Sequence, residues 1–472
     1  MSNVPRNISY PRLLLAGSQP VRVGFISLGC AKNLVDTEHI AACLREEGIE
    51  LATSPEVADA IVINTCGFIG PAKKESLEAI QKACARKAAR LCRWVLVGGC
   101  LAQREGAKLA RALPQVSAFF GLDQLDQVGV LIRRLAAGED RLNVIGEQVI
   151  RTFEPRSNRP VFTGGPFGYV KIAEGCNHRC GFCAIPLFRG RYRSRTIASI
   201  VKESARLLER GVRELNLIAQ DVTAYGSDRG RGMDLSALLK ALGRLGGAFW
   251  IRLLYAYPTG IDRHLLDTIG EVPQVCRYLD IPIQHSHPDI LRAMGRATTI
   301  RPVENLCERI RKQLPDITLR TTCLVGYPGE TASHFRHLRD YLDSAAFDHL
   351  GVFTFFREEG TPAARMTRQV VSTRLAADRR RTLLRDQQRR VLEKARAQIG
   401  QSTTLMLEKP TGEPGSWLAR GPGQAPEVDG LTWVDRVPRS AKAGNFYDAH
   451  WTGFEGYDRI ARVFQKRRPI QP

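Results

Sequence analysis

Apolar and polar positions alternate between two periods along the first 100 residues. "VRVGFISLG" is a β-rich run that ends at Cys30, and "VDTEHIAACLREEG" then repeats its apolar residues at helical spacing. "DAIVINT" is a second strand, ending at Cys66. The long amphipathic stretch "AKKESLEAIQKACARKAARL" leads to a third strand, "RWVLVGG", which ends at Cys100. Strands alternating with helices predict a βαβαβ unit with a parallel sheet. In such sheets ligands bind outside the carboxyl ends of the strands. Each of the three strands ends there on a cysteine.

From about residue 161 to 399 the pattern gives six further strands: "GYVKIAEG", "RELNLIAQD", "FWIRLLYAYP", "YLDIPIQH", "ITLRTTCLVGYP" and "HLGVFTFF". Helical patterns such as "IASIVKESARLLERG" and "VENLCERIRKQL" lie between them. Six β/α units predict a partial barrel, an open relative of the eightfold barrel, with its active site at the strand C-terminal mouth. The Arg-rich "RLAADRRRTLLRDQQRRVLEKARAQIG" reads as a surface helix leading out of it. From about 401 the chain turns to short strands, "STTLMLE", "SWLARG", "LTWVDR", "FYDAHWTGFEG" and "YDRIARVF", separated by Gly and Pro. These predict a small antiparallel β-barrel. The expected fold class is α/β, divided into a flexible N-terminus (1–20), a parallel-sheet domain (21–150), a partial (β/α)6 barrel (161–399) and a small β-barrel (401–468).

The length agrees with this division, because 472 residues are too many for one core. The net charge of +21 is unevenly placed: residues 1–20 contribute +2, 21–160 contribute +3 and 400–472 contribute +2, which leaves +14 for the middle. An acidic or nucleic-acid partner is compatible with that balance, as is a solvated basic surface. No apolar run approaches the ~20 residues of a membrane span. The N-terminal "LLLAG" is too short for a secretory core. A cytoplasmic protein is expected, without a membrane partner. Twelve cysteines in a reducing compartment point to metal binding or catalysis rather than disulfides.

"EGCNHRCGFCAIP" places Cys176, Cys180 and Cys183 in a C-x3-C-x2-C loop directly after a strand. A cubane iron–sulfur cluster needs thiolates wrapped around it by a short loop. Three thiolates on four irons leave one iron open to substrate or cofactor. A zinc site is the competing reading, with His178 as fourth ligand, but it crowds four ligands into eight residues with no second knuckle. Cys30, Cys66 and Cys100 would meet at one sheet edge and hold a second cluster with an open iron; three buried structural cysteines are the alternative. Cys43, Cys84, Cys92, Cys276, Cys307 and Cys323 lie within element patterns and read as core.

The cysteine loop, with Phe182 before its last Cys, resembles the radical S-adenosylmethionine superfamily. That resemblance implies that S-adenosylmethionine chelates the open iron and is split by one electron to give a 5′-deoxyadenosyl radical, with the protein positioning and shielding it. Both triads in this order before a small β-domain resemble the methylthiotransferases over residues 21 to 468. There the central barrel is a radical SAM domain, the last domain resembles TRAM, and two 4Fe-4S clusters are expected. "SLGCAKNLVDTE", "VINTCGFI", "AQDVTAYG", "YLDIPIQHSHPDILRAMGR" and "REEGTPAARM" resemble the branch that modifies an aspartate β-carbon of ribosomal protein uS12. Gly181 departs from it, standing where a hydroxyl or larger residue is usual. The implied partners are uS12, free or in the small subunit, an electron donor such as flavodoxin or ferredoxin, and a sulfur source.

Further site candidates come from the barrel mouth. Gln220 and Asp221 end the second strand, and Gln284 and His285 the fourth. Gly326 and Gly329 in "LVGYPGE" permit close backbone approach to a ligand. By resemblance this motif, through Glu330, contacts the cofactor. Arg195 in "RGRYRSR" has the fork geometry to pair with a carboxylate. Residues 401–465 carry seven basic and eight acidic residues, a net of −1, which suits a basic protein partner better than a phosphate backbone. A tRNA adenosine methylthiotransferase and a non-catalytic, metal-stabilised nucleic-acid-binding protein are the other functions compatible with the pattern.

Overall fold

A computed structural model describes residues 20–156, 158–230 and 232–467. Apart from Pro20, the expected flexible N-terminus lies outside the described residues. The chain forms two compact units. The first comprises the chain up to Phe162 with Glu174–Asn177 and Ala184–Tyr192; the second comprises Thr163–Ala173, His178–Cys183 and everything from Arg193. No helix among the described residues is long and apolar enough to cross a membrane.

The first unit is a six-stranded parallel sheet. It contains β1 (Arg22–Ser27), α1 (Ala31–Glu46), β2 (Glu50–Leu51), β3 (Ala60–Thr65), α2 (Gly70–Ala88), β4 (Trp94–Gly99), α3 (Cys100–Ala112), β5 (Ala118–Phe120), α4 (Val128–Ala136) and β6 (Leu142–Val144). Strand order is β2-β1-β3-β4-β5-β6. All pairs are parallel. The first four residues of β3, Ala60 to Ile63, are continuously apolar. Ala60 and Val62 enter one core with Ile40, Leu44 and Ile132, whereas Ile61 and Ile63 enter the opposite one with Ile80, Val95 and Leu109. Both faces are covered, so no polar alternation survives. The sequence pattern anticipated β1, β3 and β4. It missed β2, β5 and β6, which are two or three residues long and carry too few positions for a period to register. The short α5 (Ile185–Arg189) also belongs to this unit.

The second unit begins with β7 (Phe167–Lys171). Two short strands, β8 (Ala173–Glu174) and β9 (Arg193–Ser194), flank the cysteine loop in the chain. Then follow α6 (Ile197–Glu209), β10 (Glu214–Ile218), α7 (Leu235–Gly243), β11 (Trp250–Leu253), α8 (Arg263–Glu271), β12 (Val275–Asp280), α9 (Pro288–Ala293), α10 (Ile300–Glu304), α11 (Leu306–Gln313), β13 (Thr318–Val325), α12 (Ala332–Ala345), β14 (His349–Thr354) and α13 (Thr373–Gln398). Strands β7, β10, β11, β12, β13 and β14 pair in sequence order, all parallel. This is the expected (β/α)6 partial barrel. β15 (Ser402–Pro410), β16 (Trp417–Arg420), β17 (Thr432–Asp435), β18 (Phe446–Glu455) and β19 (Asp458–Lys466) close a separate barrel around Leu405, Leu407, Val434 and Tyr447. Four of its five pairings are antiparallel, and β17 pairs β19 in parallel.

The floor of the partial barrel is polar. Glu214, Arg252 and Arg420 are fully buried, and Glu214 accepts from both arginines, at 2.6 Å and 2.5 Å. The segment after β16 supplies further partners to strand residues of the larger barrel. Arg252 donates to the Pro422 carbonyl at 2.6 Å, Tyr169 to Glu427 at 2.6 Å and Tyr278 to Asp429 at 2.7 Å. The small barrel is thus joined to the larger one by charge-assisted hydrogen bonds, the stronger kind, of which Arg420 to Glu214 is fully buried.

Candidate metal and cofactor site

In the first unit β1, β3 and β4 deliver Cys30, Cys66 and Cys100 to one sheet edge. Cys30 caps α1, Cys66 follows β3 directly, and Cys100 opens α3. Two asparagines lace the strand ends together. Asn33 donates to the Leu28 and Thr65 carbonyls, both at 3.0 Å, and Asn64 donates to the Asn33 carbonyl at 2.7 Å. Glycine permits the approach. Gly29 has φ +90°, and a Cβ there would lie 2.9 Å from the Cys66 sulfur. A Cβ on Gly99, at φ +89°, would lie 2.2 Å from Asn64 Oδ1.

Arg189 of α5 brings the countercharge, and nothing in the sequence pattern singled it out. Its guanidinium donates to Cys100 Sγ at 3.2 Å, Asn33 Oδ1 at 2.8 Å, Asp36 at 3.1 Å and Glu174 at 2.9 Å. Its side chain is 2% exposed. Burial opposes that charge, and the surrounding Cys100, Glu174, Asp36 and Cys30 more than reverse the effect. Cys30 is the exposed one of the three; crowding around its sulfur pushes the thiol up, yet Lys32, Arg189 and the backbone N–H groups of Asn33 and Lys32 bring it below its ordinary value. Burial pushes Cys100 up to about 12 in spite of Arg189. The three thiols interact electrostatically with one another. An edge with three thiols and a fixed buried cation is suited to an anionic, thiolate-ligated cluster. The other six cysteines are buried, as core cysteines should be.

The C-x3-C-x2-C loop is shared between the units: Cys176 belongs to the first, Cys180 and Cys183 to the second. Within the first, the Cys176 N–H donates to the Gly190 carbonyl at 3.1 Å. Gly175 has φ +73°, and its Cβ would sit 2.1 Å from the Arg191 carbonyl oxygen. Within the second, the Cys183 N–H closes a turn onto the Cys180 carbonyl at 3.0 Å. Gly181 donates to the Met294 carbonyl and accepts from Ala363 N–H, both at 2.8 Å. The departure at Gly181 has a steric reason: a Cβ there would lie 2.8 Å from the Tyr327 hydroxyl. Phe182 packs with Ile290, Met294, Leu324 and Tyr327.

Beside Cys180 stands a layered group that the sequence did not reveal. Arg296 donates to Cys180 Sγ at 3.5 Å and lies over the Tyr257 ring at 4.2 Å. The opposite partner of Tyr257 is His178, stacked at 3.7 Å and 10°. His178 Nε2 is 2.7 Å from Asp221 Oδ2.

The remaining mouth residues fall into different situations. Gln220 Oε1 is buried without a hydrogen-bond partner among the described residues. Asp221 also accepts from Thr223 N–H at 2.9 Å and caps a helical turn. Gln284 holds φ +69° and bridges to Cys323. Glu330 is buried and accepts from Gly326 N–H, closing the "GYPGE" turn, with Arg379 Nη1 at 3.3 Å. Burial pushes its carboxyl up, partly countered by Arg379 and the turn N–H groups. Arg195 is fully buried and its fork is committed to Glu203 at 2.5 Å, Ser199 at 2.8 Å and the Lys171 carbonyl at 2.7 Å. In place of a free fork for a cofactor carboxylate, it fastens α6 to β7.

Residues 22–121 match the uncharacterized protein family UPF0004, 170–342 the radical SAM superfamily and 399–464 the TRAM domain. The chain is 40% identical over 460 residues to the ribosomal protein uS12 methylthiotransferase RimO of Symbiobacterium thermophilum, covering 96% of this chain and 94% of the relative. It is 39% identical over 456 residues to the protein of the same description from Pelobacter propionicus, covering 96% and 100%. Among solved structures, the radical S-adenosylmethionine methyltransferase TsrM of Kitasatospora setae with tryptophan and a cofactor analogue bound superposes with a TM-score of 0.55 at 17% identity, over 83% and 79% of the two chains. The cobalamin-dependent radical enzyme OxsB gives 0.51 at 13%, over 68% and 51%. At such identities the likeness is one of fold.

Proposed function

The chain belongs to the RimO family of ribosomal protein uS12 methylthiotransferases, radical S-adenosylmethionine enzymes, and we propose from that premise how its own residues divide the work. It is a methylthiotransferase that uses two 4Fe-4S clusters and S-adenosylmethionine, with uS12 as substrate. Our finer reading is that the methylthio group enters at an aspartate β-carbon. When bound, the clusters and cofactor supply one-electron reductive cleavage at one triad and sulfur delivery at the other. Cys176, Cys180 and Cys183 would hold the first cluster, and Cys30, Cys66 and Cys100 the second.

Around these ligands the protein does electrostatic and steric work. Arg189 balances thiolate charge at the sheet edge and is itself fixed by Asp36 and Glu174. Arg296 donates to one sulfur of the radical-generating loop. Hydrogen bonds to cluster sulfurs are one of the levers that set reduction potential. Gln220 Oε1 is an orphaned buried acceptor, suited to an amino or hydroxyl donor of the cofactor. Phe182, Asp221, Gln284, Gly326 and Glu330 shape the mouth around it. Arg195 acts as a brace in this reading. A flavodoxin or ferredoxin would bring the electrons, a separate sulfur source would replenish the transferred atom, and the cytoplasm is where uS12 would be met.

The observation that carries the reading is the gathering of Cys30, Cys66 and Cys100 beside a buried Arg189. Anaerobic reconstitution should load about eight irons per chain, and reductant with cofactor should release 5′-deoxyadenosine. Incubation with a uS12 peptide and, in parallel, with tRNA should add methylthio mass to the peptide alone. Modification of the tRNA instead overturns the substrate assignment.

A further inference from the structure

Four of the nine histidines in the chain, His285, His287, His334 and His337, fall in one patch of the second unit where α9 and α12 begin. None of them is one of the proposed cluster ligands. The His287 and His334 rings are 4.2 Å apart, and His337 meets His287 edge-on at 4.9 Å. Asp289 joins them: its Oδ2 is 3.9 Å from His287 Nδ1 and 4.0 Å from His334 Nε2. One ligand atom from each of His287, Asp289 and His334 lies within 4.8 Å of the others.

We propose that His287, Asp289 and His334 form an accessory site for a divalent transition metal of the zinc class, with His337 or water completing it. Two imidazoles and a carboxylate are ligands that zinc accepts at about 2.0–2.2 Å in tetrahedral geometry. Bonds of that length place ligands roughly 3.3 Å apart, so the groups must draw in by about 1 Å. The Asp289 side chain is 61% exposed; Arg292 holds its Oδ1, and Oδ2 is the oxygen turned toward the histidines. His334 is already oriented. Its Nδ1 faces the Gly329 carbonyl oxygen at 3.2 Å, while Nε2 faces Asp289. The same Nδ1 lies 3.2 Å from the Thr331 backbone nitrogen, whose N–H it accepts in the α12 capping box; zinc would select the other tautomer, in which Nδ1–H donates to Gly329 and Nε2 is the metal-binding nitrogen. His337 is held through Nδ1 by Ser286 Oγ at 2.9 Å. Coordination would clamp the turn carrying Gln284 and His285 to the "GYPGE" turn carrying Gly326 and Glu330. It would do so from outside the mouth, whatever reaction the mouth performs.

The test uses the cluster-loaded full chain, stripped of loosely bound metal and titrated anaerobically with zinc in a calorimeter. One equivalent should bind, with only nitrogen and oxygen neighbours in zinc X-ray absorption and unchanged iron content. His287→Ala with His334→Ala should abolish that equivalent. Asp289→Asn, which keeps the His287 cap on α9, should weaken it at least tenfold. No bound equivalent, sulfur ligands around zinc, or binding that survives either set of substitutions would overturn the proposal.

Discussion

Replacing Glu214 by Gln removes the single anion that two fully buried arginines share. Glu214 sits on β10, Arg252 on β11 and Arg420 on β16, each with 0% side-chain exposure. After the change Arg420 keeps Glu408 at 2.6 Å and the Gln424 carbonyl at 2.9 Å, whereas Arg252 keeps the Pro422 carbonyl and the Tyr278 ring but no anion. Breaking a buried pair by removing one partner costs about 3–5 kcal/mol, and the surviving Glu408 contact points to the lower end. About 3 kcal/mol is roughly two orders of magnitude in the folded-to-unfolded ratio. Urea unfolding of the cluster-free chain can be followed through Trp250, Trp417, Trp433 and Trp451, all in the second unit. The pH dependence adds a second reading. Burial raises the Glu214 pKa, Arg252 and Arg420 more than reverse this, and the net value is lowered. Its contribution is therefore present above the unfolded glutamate pKa, about 4.3, and is lost as pH falls through the lower folded value. Glu214→Gln should flatten that acid limb. Replacing all three residues with Leu, Met and Met should cost less than the single change, because it strands no fully buried charge and parts only Glu408, whose side chain is 13% exposed, from its arginine. A shift below about 1 kcal/mol for Glu214→Gln, or a triple variant weaker than the single, would refute the argument.

Arg189→Met leaves Asp36 and Glu174 buried without their cation; iron content after anaerobic reconstitution should fall from about eight toward four per chain, with the protein less stable by about 3 kcal/mol. Arg296→Met removes a positive donor from Cys180 Sγ, so the potential of that cluster, measured by redox titration with paramagnetic resonance, should become more negative by roughly 60 mV, the one-electron equivalent of about 1.4 kcal/mol. Gly326→Ala combines a φ of +77° with a Cβ placed 2.5 Å from Ala376 Cβ; thermal unfolding should occur several degrees lower, and cofactor affinity should fall with it.

The cysteine loop and the "SLGC", "NTCG" and "GGCL" strand ends were legible as candidate sites because their thiols come as one residue type at fixed spacing. So were the six strands of the partial barrel and the five of the small one, each long enough to show its period. β5 and β6 were not, for they are three residues each and owe their pairing to the strand beside them. The same limit hid the site's environment. Arg189 and Arg195 stand in one Arg-rich stretch and look alike in sequence. Only packing sends one to Cys100, Asp36 and Glu174 and the other to Glu203 and Ser199.

Local chemistry thus determined which atoms can ligate and which segments are strands, since both depend on neighbours within a few residues. The tertiary structure alone decided which charge faces which sulfur, why Gly181 must lack a side chain beside Tyr327, and that His287 and His334 meet. Those are contacts between residues 47 to 146 positions apart. Their energies depend on distance and burial, which linear order does not contain.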